Sequence, residues 1–461
     1  MSREKLPLSV KCGYGIGDLV AGLAFQTINF HYLFFLNAIV GLPGHVAGLV
    51  ILIGKSWDGV SDPLMGMLVD NTASKQGKHR FWLIVSIVPF VVSFMCLWTS
   101  LGGSVFQRFV AYMFLFLIFS TAFTAYNIPY GSMTADLTQD YNERTSLTGV
   151  RMVFTLLSMI IGAGATEIII ALFSPHDTPK APSGYLGMTA VYGALMLLAG
   201  GIAYFSTKNH DTVLDRKRGI HLKTYLNAFA NKPFVALLAS YFFLTVATTG
   251  VSSIFVYYVK YNLGMPGFAS SVILGVLVIS SITALPLWAV MSSRLSKKAA
   301  LFTGMAIFVA GLAVITSIGL SAGSVVFYGL IVFAGMGLSS FFIVLWSMIP
   351  DVVEYGELLH RQRNEGVYYG IWFFIQKLAM AVSFQINGLI LSLTGFKEGR
   401  GNSMVEQAAS ALSGIKALIG IVPAVFIVIG IIALLFYPID ARFHAHIRKQ
   451  LKTESSGGNA G

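Results

Sequence analysis

Residues 44–70 read GHVAGLVILIGKSWDGVSDPLMGMLVD. The segment is long enough to cross a bilayer, because a spanning helix needs about 20 largely apolar residues. It nevertheless carries Lys55, Asp58 and Asp62 near its centre. Ionisable side chains at that depth are costly and usually serve a function. The segment therefore predicts a membrane helix with a candidate site inside it.

The rest of the chain also has the composition of a membrane protein. Hydrophobic residues make up 55% of the 461 residues and charged residues 11%, whereas soluble proteins carry about 25% charged residues. Only helices and closed barrels satisfy the backbone in hydrocarbon, and the apolar runs are too long for barrel strands. The sequence predicts an all-α membrane protein of about twelve transmembrane helices, at residues 12–38, 44–70, 81–101, 106–136, 148–173, 185–206, 233–262, 267–292, 300–321, 325–350, 366–395 and 414–437.

Positive charges are distributed unevenly among the connections. Lys and Arg concentrate near the N terminus, in alternate loops and in the C-terminal tail. By the positive-inside rule, both termini are predicted to be cytoplasmic. The same pattern explains the net charge of +11 without a nucleic-acid partner, since nucleic-acid binders gather charge on one soluble face. The intervening loops hold only Arg108, Lys180, Lys260, Lys397 and Arg400.

The longest polar connection, residues 207–232, divides the chain into two parts. We expect an N-terminal six-helix half at 1–206, a C-terminal six-helix half at 233–440 and a cytoplasmic tail at 441–461. This arrangement is typical of the major facilitator fold, whose halves rock about a site near the membrane midplane.

The three charges of span two lie on one helix face. Asp58 and Asp62 are four residues apart, and Lys55 is three residues before Asp58. Two neighbouring carboxylates in a low dielectric repel, so they need a cation, a proton or the lysine to coexist. We predict a coupling-ion site here. The alternative is a structural ion-pair network with Lys55.

Other spans carry polar residues suited to a central cavity. Asp18 in span one is ionisable and is predicted to line the cavity, with interhelical hydrogen bonding as the alternative. Pro129 in span four frees backbone carbonyls that can line a site. Aromatic rings beside hydrogen-bonding groups suit sugars, although such rings also serve packing. The further candidates are Thr124, Asn127, Tyr130, Arg151, Trp372, Gln376 and Lys377.

Two cytoplasmic loops carry charges of both signs. Salt bridges within them are a candidate inner gate, and a solvated charge cluster is the alternative because exposed pairs are weak. Lys55 is counted among the gating candidates. The loop after span two contributes Asp70, Lys75, Lys78 and Arg80, and the loop after span ten contributes Asp351, Glu354, Glu357, Arg361 and Arg363.

Four blocks together resemble the glycoside-pentoside-hexuronide:cation symporter family, and the likeness covers nearly the whole chain. The blocks are Trp57-Asp58-x-x-x-Asp62-Pro63, Asn127-Ile128-Pro129-Tyr130, Asp351-x-x-Glu354-Tyr355-Gly356-Glu357 and Gln376-Lys377.

The resemblance implies a major facilitator fold and symport by alternating access. It implies that Asp58 and Asp62 bind Na⁺, Li⁺ or H⁺ with help from Thr124. It also implies that Asp18 contacts sugar hydroxyls, and that Arg151 and Lys377 border the same cavity.

One departure from the family pattern concerns charge. The most familiar member has an acid at the position of Asn127 and a tryptophan at the position of Gly131. Without that acid, Arg151 and Lys377 are expected to be less compensated. We therefore expect a cavity that tolerates an anionic solute such as a uronide.

These observations predict a cation-coupled symporter for a sugar or sugar derivative, placed in a bacterial inner membrane by the resemblance. A lysolipid or other amphiphile carrier is the alternative, which the apolar residues near Trp372 and Phe373 permit. A receptor or an enzyme is a third class, but the sequence contains neither a soluble output domain nor an assembled nucleophile–base pair. The expected partners are a small solute and membrane lipid, with no cofactor beyond the cation, no nucleic acid and no obligate protein partner.

Overall fold

The computed structural model describes residues 6–72, 74, 76–138, 141–174, 182–208, 227–265, 267–319, 323–360, 365–398, 405–440, 443–444, 446–447 and 449–450. Within those ranges the regular structure is entirely helical and contains no strand. The prediction of an all-α chain is therefore confirmed.

The described residues of the first half fold into six long helical stretches. The first, α1, begins as Leu8–Gly15 and Asp18–Thr27 and continues through the π-helical turns Ile28–Tyr32 and Phe35–Ile39. Helix α5 is also composite, with Tyr141–Met159, the π-helical segment Ile160–Ala165 and Thr166–Leu172. The others are α2 (Gly44–Asp70), α3 (Lys78–Leu97), α4 (Val105–Leu137) and α6 (Pro182–Ser206).

The second half repeats this number of helical stretches in its described residues. Helix α7 runs over Lys232–Tyr257 and ends in the π-helical turn Tyr258–Asn262. The remaining helices are α8 (Gly267–Arg294), α9 (Lys297–Ile318), α10 (Ser324–His360), α11 (Glu365–Leu393) and α12 (Ala409–Ile419 and Ile421–Leu435).

Eleven of these stretches are long and apolar enough to cross a membrane. The exception is α2, which is 27 residues long but has Lys55, Asp58 and Asp62 near its centre. Those three charges lower its hydropathy without shortening it. The helix that departs from the apolar norm is thus the helix that carries the predicted cation site.

Helix α10 extends beyond its predicted end. Span ten was expected to end at residue 350, with Asp351, Glu354 and Glu357 on a loop, but the helix continues to His360. The prediction of a loop was wrong. It placed the end of the helix where the apolar run gives way to charged residues, whereas the helix continues through those residues. Three-residue spacing now places these acids on neighbouring turns of one helix face.

The chain clusters into two compact units, which are described separately. The first contains Met1–Arg218, Ser252–Gly275 and Phe384–Ile415. Glycine allows close helix approach here: a Cβ on Gly388 of α11 would lie 2.1 Å from the carbonyl oxygen of Gly44 at the start of α2. Small residues of this kind are how membrane helices pack without a hydrophobic driving force between them.

The second unit contains Gly219–Val251, Val276–Ser383 and Lys416–Gly461. Its helices α9 and α10 approach closely through glycine, because a Cβ on Gly337 would lie 2.4 Å from the backbone nitrogen of Phe308. The predicted connection at 207–232 and the tail at 441–461 lie largely outside the described residues. The predicted domain borders therefore stay predictions.

Candidate functional site

The predicted cation-binding residues of the first unit lie on adjacent helices. Asp58 is 2% exposed and Asp62, one turn later on α2, is half-buried. The hydroxyl of Thr124 on α4 donates a 2.8 Å hydrogen bond to Oδ1 of Asp62. Ser61 Oγ lies 3.4 Å from the same hydroxyl. The structure thus brings Asp62 and Thr124 together, as the sequence analysis expected.

Lys55 lies on the same face of α2 and is 6% exposed. Its ammonium is 5.0 Å from the centre of the Phe25 ring, a distance at which a cation is attracted to an aromatic face. Lys55, Asp58 and Asp62 together carry two negative charges and one positive charge. One negative charge remains within this set when all three are ionised.

The ligand chemistry of this region is that of a hard cation. Carboxylate and hydroxyl oxygens suit such ions, whereas transition metals favour imidazole and thiolate ligands. Within the described ranges, no group of three or more His, Cys, Asp or Glu side chains is arranged to hold a metal ion.

Asp18 of α1 and Arg151 of α5 form a two-pronged ion pair. Arg151 donates from Nε to Oδ2 of Asp18 at 2.8 Å and from Nη2 to Oδ1 at 3.1 Å. Its Nη1 donates to the hydroxyl of Thr134 at 2.8 Å. Such bidentate pairs fix geometry as well as charge. Asp18 therefore compensates the charge of Arg151, and the expected tolerance for an anionic solute stays a prediction.

Tyr130 is fully buried and supports this ion pair from α4. Its hydroxyl donates to the carbonyl of Tyr14 at 2.7 Å, and its ring centre lies 4.9 Å from the guanidinium of Arg151. The ring thus packs against Arg151 and does not face solvent in this conformation. Asn127, one turn earlier, is half-buried. The roles of both residues in substrate binding stay predictions.

The second unit carries the other predicted substrate residues on α11. Trp372 is fully buried and stacks on Tyr241, with ring centres 3.6 Å apart and planes 10° apart. Gln376 and Lys377 are half-buried, and the four-residue spacing places Gln376 on the face of Trp372. In this conformation Trp372 therefore packs inside the unit.

The predicted gating acids of α10 pair with residues that the sequence analysis did not assign to them. Asp351 forms an ion pair with Lys297 at the start of α9, with 2.6 Å between its Oδ2 and the lysine Nζ. His444 lies 2.8 Å from Glu354, and Glu357 lies one turn further along α10. Other gating candidates cannot be placed: Arg361, Arg363 and Lys75 lie outside the described residues, as does the side chain of Asp70.

A further charged cluster of the first unit was missed by the sequence analysis. Lys260 of α7 was expected in a loop, but it lies in a π-helical turn and is 7% exposed. Its ammonium is 2.9 Å from Oε2 of Glu167 on α5. His31 of α1 lies 3.6 Å from the other carboxylate oxygen. The signal was available, because Glu167 is an acid within the predicted span 148–173 and such acids are usually functional.

A family model described as MFS/sugar transport protein matches residues 13–441. This match covers nearly all of the described chain, including both the acids of α2 and the Lys260 cluster.

Two curated relatives differ in what they carry. A sodium-dependent lysophosphatidylcholine symporter 1-A of Danio rerio is 24% identical, with 98% of this chain and 89% of the relative covered. An isoprimeverose transporter of Lactiplantibacillus pentosus is 26% identical, with 95% and 90% covered. Both are membrane transporters.

A solved structure agrees with the helical architecture. The crystal structure of a D-xylose-proton symporter aligns with a TM-score of 0.68 at 15% identity, over 93% of this chain and 96% of that one. At this identity the likeness establishes the fold alone.

Proposed function

We propose, from the premise that the chain belongs to the MFS/sugar transport protein family, that this integral membrane symporter moves a sugar or sugar derivative together with a cation. The observation that carries the proposal is the set of acids inside α2. Asp58 is buried, and Asp62 accepts a hydrogen bond from Thr124. These oxygens would take Na⁺, Li⁺ or H⁺ as the coupling ion.

Charge balance supports the assignment of a monovalent cation. Within this set of three, two carboxylates outnumber the one ammonium of Lys55. A bound monovalent cation would bring the formal charge of the set to zero. The same count disfavours a divalent ion, which would leave the set with an excess positive charge.

Candidate substrate contacts are proposed for each unit separately. In the first unit, Asp18 and Arg151 offer an acceptor and a donor to hydroxyl groups. In the second unit, Gln376 and Lys377 offer hydrogen-bond donors from α11. The isoprimeverose transporter among the relatives supports a sugar. Tolerance for an anionic sugar such as a uronide is proposed because Asn127 stands where the family pattern has an acid, which lowers the negative charge of the predicted substrate residues.

Topology and gating complete the proposal. The charge bias of the loops supports cytoplasmic termini, and we place the protein in a bacterial inner membrane on its family resemblance. Asp351, Glu354 and Glu357, together with Lys55, Arg361 and Arg363, would take part in the inner gate. Each stands as a candidate to be tested by substitution.

The second candidate function is transport of a lysolipid or another amphiphile. The relationship to a sodium-dependent lysophosphatidylcholine symporter favours it. Phe373 adds an apolar ring, exposed by 45%, beside Trp346. A water-soluble sugar and a lysolipid differ enough for one competition experiment to separate them.

The test is an uptake screen with the full chain in proteoliposomes. Isoprimeverose, uronides, pentosides and lysophosphatidylcholine are each offered under an imposed Na⁺, Li⁺ or H⁺ gradient. We expect a sugar derivative to accumulate with at least one gradient, and unlabelled sugar to compete for its uptake. Accumulation of lysophosphatidylcholine alone would favour the second candidate, and uptake indifferent to every gradient would contradict cation coupling.

A further inference from the structure

Three buried ionisable side chains meet inside the first unit, away from the acids of α2. Lys260 donates to both carboxylate oxygens of Glu167, at 3.0 Å and 2.9 Å. His31 is 1% exposed and Glu167 is 4% exposed. The ring of Phe34 covers the ammonium at 4.3 Å. Water therefore has little access to the cluster, and its charges must balance internally.

Each of the three residues lies in or beside a π-helical segment. His31 is in Ile28–Tyr32 of α1, Lys260 is in Tyr258–Asn262 of α7, and Glu167 follows Ile160–Ala165 of α5. Such segments are rare and are frequently found at functional sites. The departures from regular helix bring the three side chains to one point.

The hydrogen bonds of His31 determine which ring nitrogen can receive a proton. Nε2 lies 3.3 Å from the carbonyl oxygen of Ala163. A carbonyl can only accept, so Nε2 carries a hydrogen. Nδ1 lies 3.6 Å from Oε1 of Glu167. In the neutral ring Nδ1 presents a lone pair to a carboxylate, which is repulsive, whereas a proton on Nδ1 would make the two groups attract.

We propose that His31 is a proton-binding site whose protonation replaces Lys260 as the partner of Glu167. With Lys260 paired and His31 neutral, the cluster has no net charge. With a proton on Nδ1 of His31 and Lys260 withdrawn, it again has no net charge. The proton thus takes the place of the ammonium beside Glu167, and no unpaired carboxylate remains buried. The ammonium of Lys260 keeps its own charge and moves away with the end of α7. The ligand of this second site is the proton itself.

The exchange would allow the ion pair between α5 and the end of α7 to separate. Separating a buried ion pair without a replacement charge is strongly unfavourable. Protonated His31 would supply that charge and release α7 from α5. Its role during transport rests on the proposed function, whereas the exchange within the cluster does not.

The titratable groups that face the cluster come from α5, α6 and α7. Glu167 faces it from α5, Lys260 from α7 and Tyr185 from α6, with Tyr261 beyond Tyr185. Phenols and ammonium groups ordinarily titrate near pH 10. The range from pH 5.5 to pH 8.5 brackets the usual imidazole range and excludes that of phenols and ammonium groups, so the experiment has to distinguish His31 from Glu167.

The experiment separates those two groups and needs no substrate. Thermal unfolding midpoints of the full-length protein in detergent are measured at pH 8.5 and pH 5.5 for wild type, Lys260→Met and Lys260→Met/His31→Gln. At pH 8.5 we expect Lys260→Met to unfold several degrees below wild type, because Glu167 loses its cation. At pH 5.5 protonated His31 replaces that cation, so the deficit should shrink by about half or more.

The double variant shows whether His31 or Glu167 takes the proton. We expect the deficit of Lys260→Met/His31→Gln to persist at pH 5.5. If acid rescues the double variant as well as the single one, Glu167 takes the proton and the proposal is overturned. Absence of rescue in Lys260→Met overturns it too. Since this readout is independent of uptake, its failure is distinguishable from failure of the proposed transport function.

Two further variants serve as a control and as a substitute for Lys260→Met. His45→Gln in the Lys260→Met background is the matched control, because His45 contacts Ser392 and lies outside the cluster, so acid rescue should be retained. If Lys260→Met yields no folded protein, Lys260→Gln keeps a hydrogen-bond donor and removes only the charge. The same two outcomes then apply to Lys260→Gln with and without His31→Gln.

Discussion

The first unit contains two buried acidic clusters that balance their charge in opposite ways. On α2, two carboxylates share their helix face with one lysine, and Asp62 keeps part of its surface exposed. On α5, one carboxylate is held by Lys260 at both oxygens and has His31 beside it. We propose that the first arrangement takes up a mobile cation, whereas in the second the charges of Glu167 and Lys260 cancel each other. Burial alone therefore does not identify an ion site, since the charges around each buried acid must be counted as well.

The largest expected effect comes from the acids of α2. Asp58→Cys and Asp62→Cys should each abolish cation-stimulated uptake in proteoliposomes, because the remaining carboxylate would be neutralised by Lys55. Ser56→Cys, an exposed neighbour on the same helix, is the matched control and should retain uptake. If both acid variants accumulated substrate as the wild type does, the acids of α2 would not be the cation site that distinguishes them from the cluster on α5.

An intermediate effect is expected at the hydroxyl that contacts Asp62. Thr124→Val removes the hydroxyl that orients the Asp62 carboxylate, and loss of such a supporting hydrogen bond typically lowers metal affinity about 10–100-fold. The measurement is the cation concentration that gives half-maximal uptake.

Thr121→Val is the control for that substitution. Thr121 lies one turn away on α4 and accepts from Trp57 at 2.9 Å, so the half-maximal cation concentration should not move. Equal shifts in both variants would mean that α4 responds to lost packing and not to a lost ligand.

The smallest expected effect concerns the neutral cluster. Glu167→Gln and Lys260→Met each leave one charge buried without its partner, but the combined variant leaves none. Replacing a whole buried ion pair is often neutral for stability, so the double variant should retain more folded protein and more uptake than either single one. The check is a double-mutant cycle on the unfolding midpoint and the uptake rate. If the double variant had a lower unfolding midpoint and slower uptake than both single variants, the two charges would have a role other than balancing each other.

The fold was largely predictable from the sequence because hydrophobic length is a strong and local signal. Apolar runs such as 185–206 and 233–262 coincide with α6 and α7 within a few residues. The end of α10 was not predictable in the same way, since Asp351, Glu354 and Glu357 stop the apolar run but not the helix. Helix ends outside hydrocarbon follow tertiary contacts, such as the ion pair of Asp351 with Lys297, which no local pattern contains.

The candidate site was predictable where its residues are close in sequence. Asp58 and Asp62 share a face by their spacing alone, and the contact with Thr124 followed from a family resemblance. The bidentate pairing of Asp18 with Arg151 joins α1 to α5 across 133 positions, and the Lys260 cluster joins three helices. Such pairings depend on helix packing, and Lys260 at a predicted span end gave no sign that it turns inward.

The most direct test of the central claim is cation binding in the absence of substrate. The unfolding midpoint of the full-length protein is followed against Na⁺ and Li⁺ at constant ionic strength, and against pH, in wild type, Asp58→Cys and Asp62→Cys. We predict that at least one of these cations raises the wild-type midpoint by several degrees, and that both variants lose this response. A response of equal size in the variants, or none in the wild type to any of the three cations, would contradict it.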